Sequence, residues 1–296
     1  MCFFYTKYSI IFWNSDFQFF VKEIFSEKYL FFLTLSDYKF HWFFIMSESE
    51  NVLENPEFET LPSISVDCVI FGYEDNLLKV LVRREYVPFE GDVIIEWKLP
   101  GNHVRRKEQI DETASRILKE QTGLENIFMK QFMVFSDPGR LKRRERDYEW
   151  VKPRLQDDRV LTVGFYSLVN IKDVDNTKLL EEAKWENAYE IRELMFDHND
   201  IFGEALKKLR YDLLHEPLIF ELLPEKFTLT QLQKVYEAIF DTIYDKRNFR
   251  RKVNKMPYLI QTDELQSGVS HKPARYYTFD REIYENTRSE RFDFRM

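Results

Sequence analysis

The chain has 296 residues, room for about two domains. Its 44% hydrophobic and 32% charged content is that of an ordinary globular protein. The net charge of −8 argues against a globally basic nucleic-acid binder, so any such role must come from a local patch. Two cysteines, Cys2 and Cys68, and five scattered histidines exclude a disulfide framework and a metal site of regular spacing. Cys68 lies in an apolar run and reads as an inert core thiol, which fits a reducing cytoplasm.

In chain order, the first 45 residues stand apart, with eighteen Phe, Tyr or Trp among them. Lys7, Asp16, Lys22, Glu23, Glu27, Lys28, Asp37 and Lys39 interrupt the aromatics, so no apolar run of about 18 residues exists and a spanning helix is not expected. A basic segment followed by an apolar stretch and a small-residue cleavage site is also missing, which speaks against a secretory signal. Met46 precedes Ser-Glu-Ser-Glu. We read residues 1–45 as a non-native N-terminal extension translated ahead of a start at Met46, with a membrane-surface anchor as the rival. Intact mass of the protein from its own host distinguishes the two. Residues 46–61 read as a flexible lead.

Two strands follow, Ser65 to Phe71 and Leu77 to Val82, with Glu74-Asp75-Asn76 supplying the turn. Val93 to Leu99 is a third. The stretch after Asp111 is helical in pattern: Ile110, Ala114 and Leu118 recur on one side, while Glu112, Arg116 and Glu120 fall at i, i+4, i+8 on another. By itself this is an amphipathic helix with an ion-pair ladder. Ile127 to Phe135 and Val160 to Val169 are strand-like. Between them, residues 136–158 are polar and too long for an idle connection. They read either as a solvated flap or as a lid or dimer contact over a cleft. Ala183-Lys184-Trp185 and Phe196-Asp197-His198 close this first domain, and a helix from about Asp200 to His215 leads to a boundary at Glu216-Pro217.

The second domain carries a sharper pattern. Thr228 and Gln231 form a capping box ahead of a stripe at Leu229, Leu232, Tyr236 and Ile239. After a break, Asp245 starts a second helix. Phe249, Val253 and Met256 point inward, while Lys246, Arg247, Arg250, Arg251 and Lys255 cover the other sides. Leu259-Ile260-Gln261 and Lys272 to Phe279, with a turn at Gln266-Ser267-Gly268, make a two-stranded wing. Helix, short turn, basic helix is the order of a helix-turn-helix reader. Residues 226–275 hold ten Lys or Arg against five Asp or Glu, a local excess that suits phosphate contacts. The residues assigned to DNA are Lys246, Arg247, Asn248, Arg250, Arg251, Lys252, Lys255, Lys272 and Arg275. Asn248 and one or two arginines are placed to read base edges.

Asn102, Glu108, Arg116, Leu118, Glu120, Gly123 and Leu124 together resemble a Nudix box: G, five residues, E, seven residues, then R-E-U-x-E-E-x-G-U, with U apolar. Asn102 replaces the first glycine, and Ile117 and Gln121 replace two of the three core carboxylates. The resemblance implies an α/β Nudix sandwich, a mixed sheet between helices. In a working box the core carboxylates gather Mg²⁺, which needs several oxygen ligands, to activate water on a pyrophosphate. Positions 117, 120 and 121 are expected to share the metal-facing side. Ile117 cannot ligate, and Gln121 offers one neutral oxygen. Glu108, Arg116 and Glu120 are then vestigial, with Glu120 the one possible metal ligand and Glu108 as much a tie to Arg116.

Leu222-Leu223-Pro224-Glu225-Lys226-Phe227-Thr228-Leu229, Asp245 to Lys252 and Lys272-Pro273-Ala274 extend the likeness. With the box, they resemble the Nudix-related transcriptional regulators, a Nudix domain fused to a C-terminal winged helix, over roughly residues 62–285. The domains so implied are 62–205 (Nudix), 206–222 (linker helix), 223–285 (winged helix) and 286–296 (tail). The resemblance implies a cytoplasmic homodimer, without membrane contact, that binds double-stranded operator DNA and responds to an ADP-ribose-like compound or a sugar. It requires no cofactor, and Mg²⁺ only if hydrolysis survives. Arg84, Arg140 and Arg159 are candidates for anionic ligand groups. The alternatives are a hydrolase of ADP-ribose or another nucleoside diphosphate derivative, and an adaptor whose winged helix contacts protein.

Overall fold

The computed structural model describes residues 60–155, 158–268, 270 and 272–287, together with four short strands nearer the N-terminus. Those four form two antiparallel hairpins in a unit of residues 1–55. One joins Tyr5–Thr6 (β1) to Ser9–Ile10 (β2); the other joins Leu30–Ser36 (β3) to Lys39–Ile45 (β4). The reading of residues 1–45 as an extension and of 46–61 as a flexible lead falls largely outside the described residues; at its end the lead is corrected, since Thr60 and Leu61 already belong to a strand of the main sheet.

Residues 56–296 form a second compact unit. Its centre is a seven-stranded sheet. The long strands Thr60–Glu74 (β5) and Leu77–Phe89 (β6) are joined by a turn in which Asp75 and Asn76 take φ of 50° and 63°. Asn and Asp accept this left-handed geometry at low cost, which is why the Glu-Asp-Asn signal marked the turn. Asp92–Lys98 (β7) folds back along β6, and Gly101–Arg105 (β8) pairs with the first half of β5. The helix Ile110–Thr122 (α1) follows. Lys130–Phe135 (β9) and Leu161–Asn170 (β10) flank β5 on its other side, with β10 parallel to β5. Ala183–Asn187 (β11) closes the opposite edge against β6. Between β9 and β10 lies the helix Glu145–Val151 (α2), with a 3₁₀ turn on either side.

Because side chains alternate along a strand, β5 feeds two cores. Val66, Cys68 and Ile70 join Leu81, Val163 and Phe165 beneath Ala114, Ile117 and Leu118 of α1. Val69 and Phe71 face the other way, into a second core with the helix His198–His215 (α3). Cys68 is fully buried, and burial pushes its thiol well above the usual range, as expected of an inert core residue. The α3 stripe Ile201, Ala205, Leu209 and Leu213 is fully buried. That stripe runs past residue 205, so the expected boundary between residues 205 and 206 falls inside one continuous helix. One helix packs against β5, β9 and β10.

The second core continues without interruption into the C-terminal domain. There Phe227–Thr228 (β12), Leu229–Phe240 (α4), Lys246–Val253 (α5), Leu259–Leu265 (β13), Arg275–Phe279 (β14) and Arg281–Thr287 (α6) follow in order. The strands form a three-stranded sheet in the order β12-β14-β13. Thr228 caps α4 through the expected box with Gln231, and Asp245 caps α5 by accepting the Asn248 N–H. Leu229, Leu232, Tyr236 and Ile239 are buried, as are Phe249 and Val253, while Met256 packs partly against the same core. Among the described residues no helix is long and apolar enough to cross a membrane.

Candidate functional site

Glu108 anchors the box network. Arg116 Nε donates to its Oε1 at 2.6 Å and Nη2 to its Oε2 at 2.9 Å, and the Thr113 hydroxyl adds a bond of 2.8 Å. Partial burial alone would raise this carboxyl, but the bonds from Arg116 and Thr113 hold it below its ordinary value. Arg116 also donates to the His103 carbonyl (3.0 Å) and to Glu120 (3.1 Å), and Arg105 reaches Glu120 at 3.2 Å. The network therefore ties the start of α1 to β8. Gly123 ends the helix at φ 79°, where an added Cβ would lie 1.9 Å from the Lys178 carbonyl, so this position admits glycine alone.

The expectation that positions 117, 120 and 121 share one metal-facing side does not hold. Ile117 is fully buried in the core between α1 and the sheet. The 100° step between successive helical residues carries it onto the Ala114–Leu118 face. Gln121 is also engaged: its Oε1 accepts from the Gly101 N–H (3.1 Å) and its Nε2 donates to the Gly101 carbonyl (2.9 Å). Both ends of the amide serve to hold the start of β8. Glu120 is left with two guanidinium partners. Among the described residues no three His, Cys, Asp or Glu side chains gather as a metal site. The Mg²⁺ that the box normally holds does not fit these residues, since one ligand position faces a core and another is a neutral amide whose oxygen and nitrogen both bond to Gly101.

Above the box lies a cleft of about 450 Å³. Ser65 and Asp67 of β5, Arg83, Glu85 and Tyr86 of β6, and Lys98, Asn102 and His103 line one side; Arg140, Leu141, Trp150, Val151, Arg154 and Leu155 line another. Within the polar stretch, residues 140–155 thus supply one wall of the cleft, with Arg140, Leu141 and Asp147 buried rather than solvated. Arg140 is 3% exposed and Asp147 fully buried. Arg144 holds Asp147 (2.7 Å) and Arg146 holds Glu96 (2.7 Å), while Asp147 accepts the Phe196 N–H at 2.8 Å. The Arg144–Asp147 pair is local, but the partners that fix the stretch against the cleft, Glu96, Asp67, Asp197 and Phe196, lie far away in the chain, which hid this in the sequence.

At the floor, Arg140 bridges two carboxylates. Its guanidinium donates to Asp67 (3.0 Å) and to both oxygens of Asp197 (3.0 and 2.9 Å). Burial alone would raise Asp67, but the Arg140 guanidinium bonded to it brings its carboxyl below the ordinary value. Burial, with Asp67 nearby, raises Asp197. His198 Nδ1 accepts the Leu99 N–H (2.9 Å), and Nε2 lies 3.5 Å from Asp67. Burial pushes this imidazole down to about 4, so it is neutral near pH 7 with its proton on Nε2.

Of the three arginines expected at the ligand, the structure brings only Arg140 to the cleft, and its charge is already matched by Asp67 and Asp197. Arg84 points to the far side of β6, where it pairs with Glu181 (2.9 Å). Strand alternation sends its neighbours Arg83 and Glu85 to the cleft instead. Arg159 is exposed and outside the lining. The cations that do line the cavity beside Arg140 are Arg83, Lys98 and Arg154. Glu85 partners Lys98 at 2.8 Å and Arg83 at 3.7 Å. Arg154 stacks over Trp150 at 4.4 Å, and Lys98 lies 5.5 Å from the same ring. A basic rim beside an indole suits an anionic ligand with a planar ring. Trp97-Lys98-Leu99 was a visible segment, but nothing local showed that Lys98 would face this cavity.

The second surface is α5. Lys246, Arg247, Asn248, Arg250 and Arg251 of α5, with Lys255 just after it, are exposed, and Lys252 is half-buried. Lys272 and Arg275 are exposed on the wing, where Arg275 donates to the Thr262 carbonyl (3.1 Å) and lies 3.5 Å from Asp263. The wing arginine is thus partly neutralised by its own strand, whereas the helix presents its cations outward.

Comparison with known proteins places these two sites together. The model of the NUDIX domain matches residues 61–208, and that of the NrtR DNA-binding winged helix domain matches residues 219–279. The chain is 28% identical over 232 residues to an ADPR responsive transcriptional repressor NtrR of Acinetobacter baylyi, covering 76% of this chain and 84% of that protein. It is 29% identical over 149 residues to an ADP-ribose pyrophosphatase of Methanocaldococcus jannaschii, covering 49% of this chain and 74% of that one. The crystal structure of Shewanella oneidensis NrtR complexed with a 27mer DNA superposes with a TM-score of 0.57 at 25% identity, covering 78% of this chain and 98% of that chain. A MutT/nudix family protein from Enterococcus faecalis gives 0.53 at 25% identity, covering 74% and 87%.

Proposed function

This chain belongs to the NUDIX family and carries an NrtR-type winged helix, and from that premise we propose that it is a ligand-responsive transcriptional regulator. The winged helix binds double-stranded operator DNA, and the Nudix cleft senses a metabolite that it does not hydrolyse. The observation that carries this reading is the fate of the box: Ile117 is a core residue and Gln121 a backbone clamp. α1 now borders, through Gln121 alone, a cleft that cannot gather Mg²⁺. The effector is an ADP-ribose-like compound, whose diphosphate suits Arg83, Lys98 and Arg154 and whose adenine suits Trp150. The similarity to an ADPR responsive repressor supports that class over a sugar. No cofactor or metal is needed for sensing, and the protein works in the cytoplasm, where its DNA is.

The active form is a homodimer. The β6–β7 hairpin places Tyr86 opposite Ile95 and Pro88 opposite Val93, and Tyr86, Val93 and Ile95 are 50%, 66% and 51% exposed. An apolar ladder of this kind on one face of a ribbon marks an interaction surface, and a second copy of the chain covers it.

Titrating ADP-ribose against the protein bound to a duplex selected from a random library tests the reading. A duplex affinity that changes with ADP-ribose, without AMP release in the presence of Mg²⁺, is the expected result. Turnover of ADP-ribose without duplex binding would replace it with the hydrolase.

A further inference from the structure

Between the cleft and the DNA-facing helix lies a contact that neither site uses. Tyr189, just beyond β11, directs its hydroxyl to the carbonyls of Ala238 (2.9 Å) and Ile239 (2.6 Å) in the last turn of α4. Arg210, on α3, donates from Nε to the Ile239 carbonyl (3.0 Å) and from Nη2 to the Tyr189 oxygen (3.3 Å). The last carbonyls of a helix have no partner within it and carry the negative end of its dipole. Here they are capped by a phenol and a guanidinium supplied by the sensing domain.

Both ends of this bracket lead to a site. α3 starts in the cleft: His198 lines it, and Asp197 just before it holds Arg140. At 1.5 Å per residue, Arg210 sits about 18 Å further along the same rigid helix. On the other side, α4 carries α5 with it. Glu237 of α4 accepts the Tyr244 N–H (3.1 Å), and Gln233 donates to the Tyr244 carbonyl (2.9 Å). Tyr244 precedes Asp245, the cap of α5. A displacement at the end of α4 therefore displaces α5.

We propose that Arg210 and Tyr189 couple the cleft to the winged helix, transmitting occupancy at the start of α3 to the pose of α5 while touching neither ligand nor DNA. The proposal rests on the regulator reading. The bracket is a site where the two domains share polar bonds as well as a core, so it fixes their relative pose in a direction-dependent way that apolar packing does not. Removing it leaves both binding surfaces intact and uncouples them.

The experiment uses the full chain, its Tyr189→Phe and Arg210→Gln variants, and ADP-ribose as the probe. Calorimetry measures ADP-ribose binding, and hydrogen exchange measures the ligand-dependent change in protection over α4 and α5. Expected are ADP-ribose affinities within about twofold of the unaltered chain in both variants, with the α5 change reduced at least fivefold. Tyr189→Phe keeps the ring and its packing, so it remains informative if Arg210→Gln fails to fold. An undiminished α5 change in variants that still bind ADP-ribose overturns the coupling role and leaves the regulator reading standing. Failure of the unaltered chain to bind ADP-ribose, or to show any change at α5, overturns the coupling together with the sensing reading.

Discussion

Restoring the box carboxylate by Ile117→Glu should destabilise the protein and should not revive an enzyme. Ile117 has no exposed surface and sits in the core of Val66, Cys68, Ala114 and Leu118. Replacing it loses about 2 kcal/mol of apolar burial. A carboxylate in that core has no partner and can be accommodated only by protonation. A rise of about three pKa units costs about 4 kcal/mol at neutral pH. The sum, about 6 kcal/mol, rivals the whole stability of a typical domain, roughly 5–15 kcal/mol. Ile117→Val is the control and should lose only about 1 kcal/mol. Urea unfolding followed by tryptophan fluorescence reads the midpoints, and AMP release from ADP-ribose with Mg²⁺ reads any gained activity. An Ile117→Glu variant that unfolds at the original midpoint would show that position 117 faces the cleft, and the argument from the box would collapse.

Other consequences follow from the same geometry. Arg250→Ala with Arg251→Ala should weaken duplex binding and flatten its salt dependence by roughly one unit per lost phosphate contact; fluorescence anisotropy over a salt series reads it, and an unchanged slope would remove α5 from the DNA. His198 holds its imidazole down at about 4 against an ordinary 6.5, so the unfolded chain binds the extra proton between those values and stability falls as pH drops through that window. That contribution is roughly 3 kcal/mol, and unfolding of the His198→Asn variant between pH 7 and 4 should lack it; identical pH profiles would count against the buried neutral ring. Gly123→Ala should cost roughly 2 kcal/mol or more, since φ there is positive and the Lys178 carbonyl blocks a Cβ; a thermal midpoint within a degree of the original would contradict that geometry. Breaking the buried Asp67–Arg140 pair with Arg140→Met should destabilise by about 3–5 kcal/mol, measured by the same unfolding assay.

Local rules carried most of the architecture into view. The spacing of Glu108, Arg116, Glu120 and Gly123 located the box because helix geometry and a left-handed turn permit few alternatives. The Thr228–Gln231 box, the Leu229–Ile239 stripe and the basic face of α5 were equally legible, since each depends on residues within two or three turns of one another. The cleft was not. Arg84 and Arg83 are adjacent in sequence, yet only strand register decides which of them reaches the ligand side. Lys98, the Trp150–Arg154 pair and His198 meet there from three segments far apart in the chain, and no periodicity joins those segments. The 136–158 stretch showed its charges but not that Arg140 would lie buried between Asp67 and Asp197.

The chain by itself thus determined where helices start and stop, which faces are apolar, and that two catalytic carboxylates were missing. Tertiary structure decided what the replacements do: Ile117 completes a core, Gln121 clamps β8, and α3 links cleft to reading head. Short-range backbone geometry acts between neighbours in sequence and is written there. Burial and charge pairing act between neighbours in space, and those exist only once the sheet has set its register.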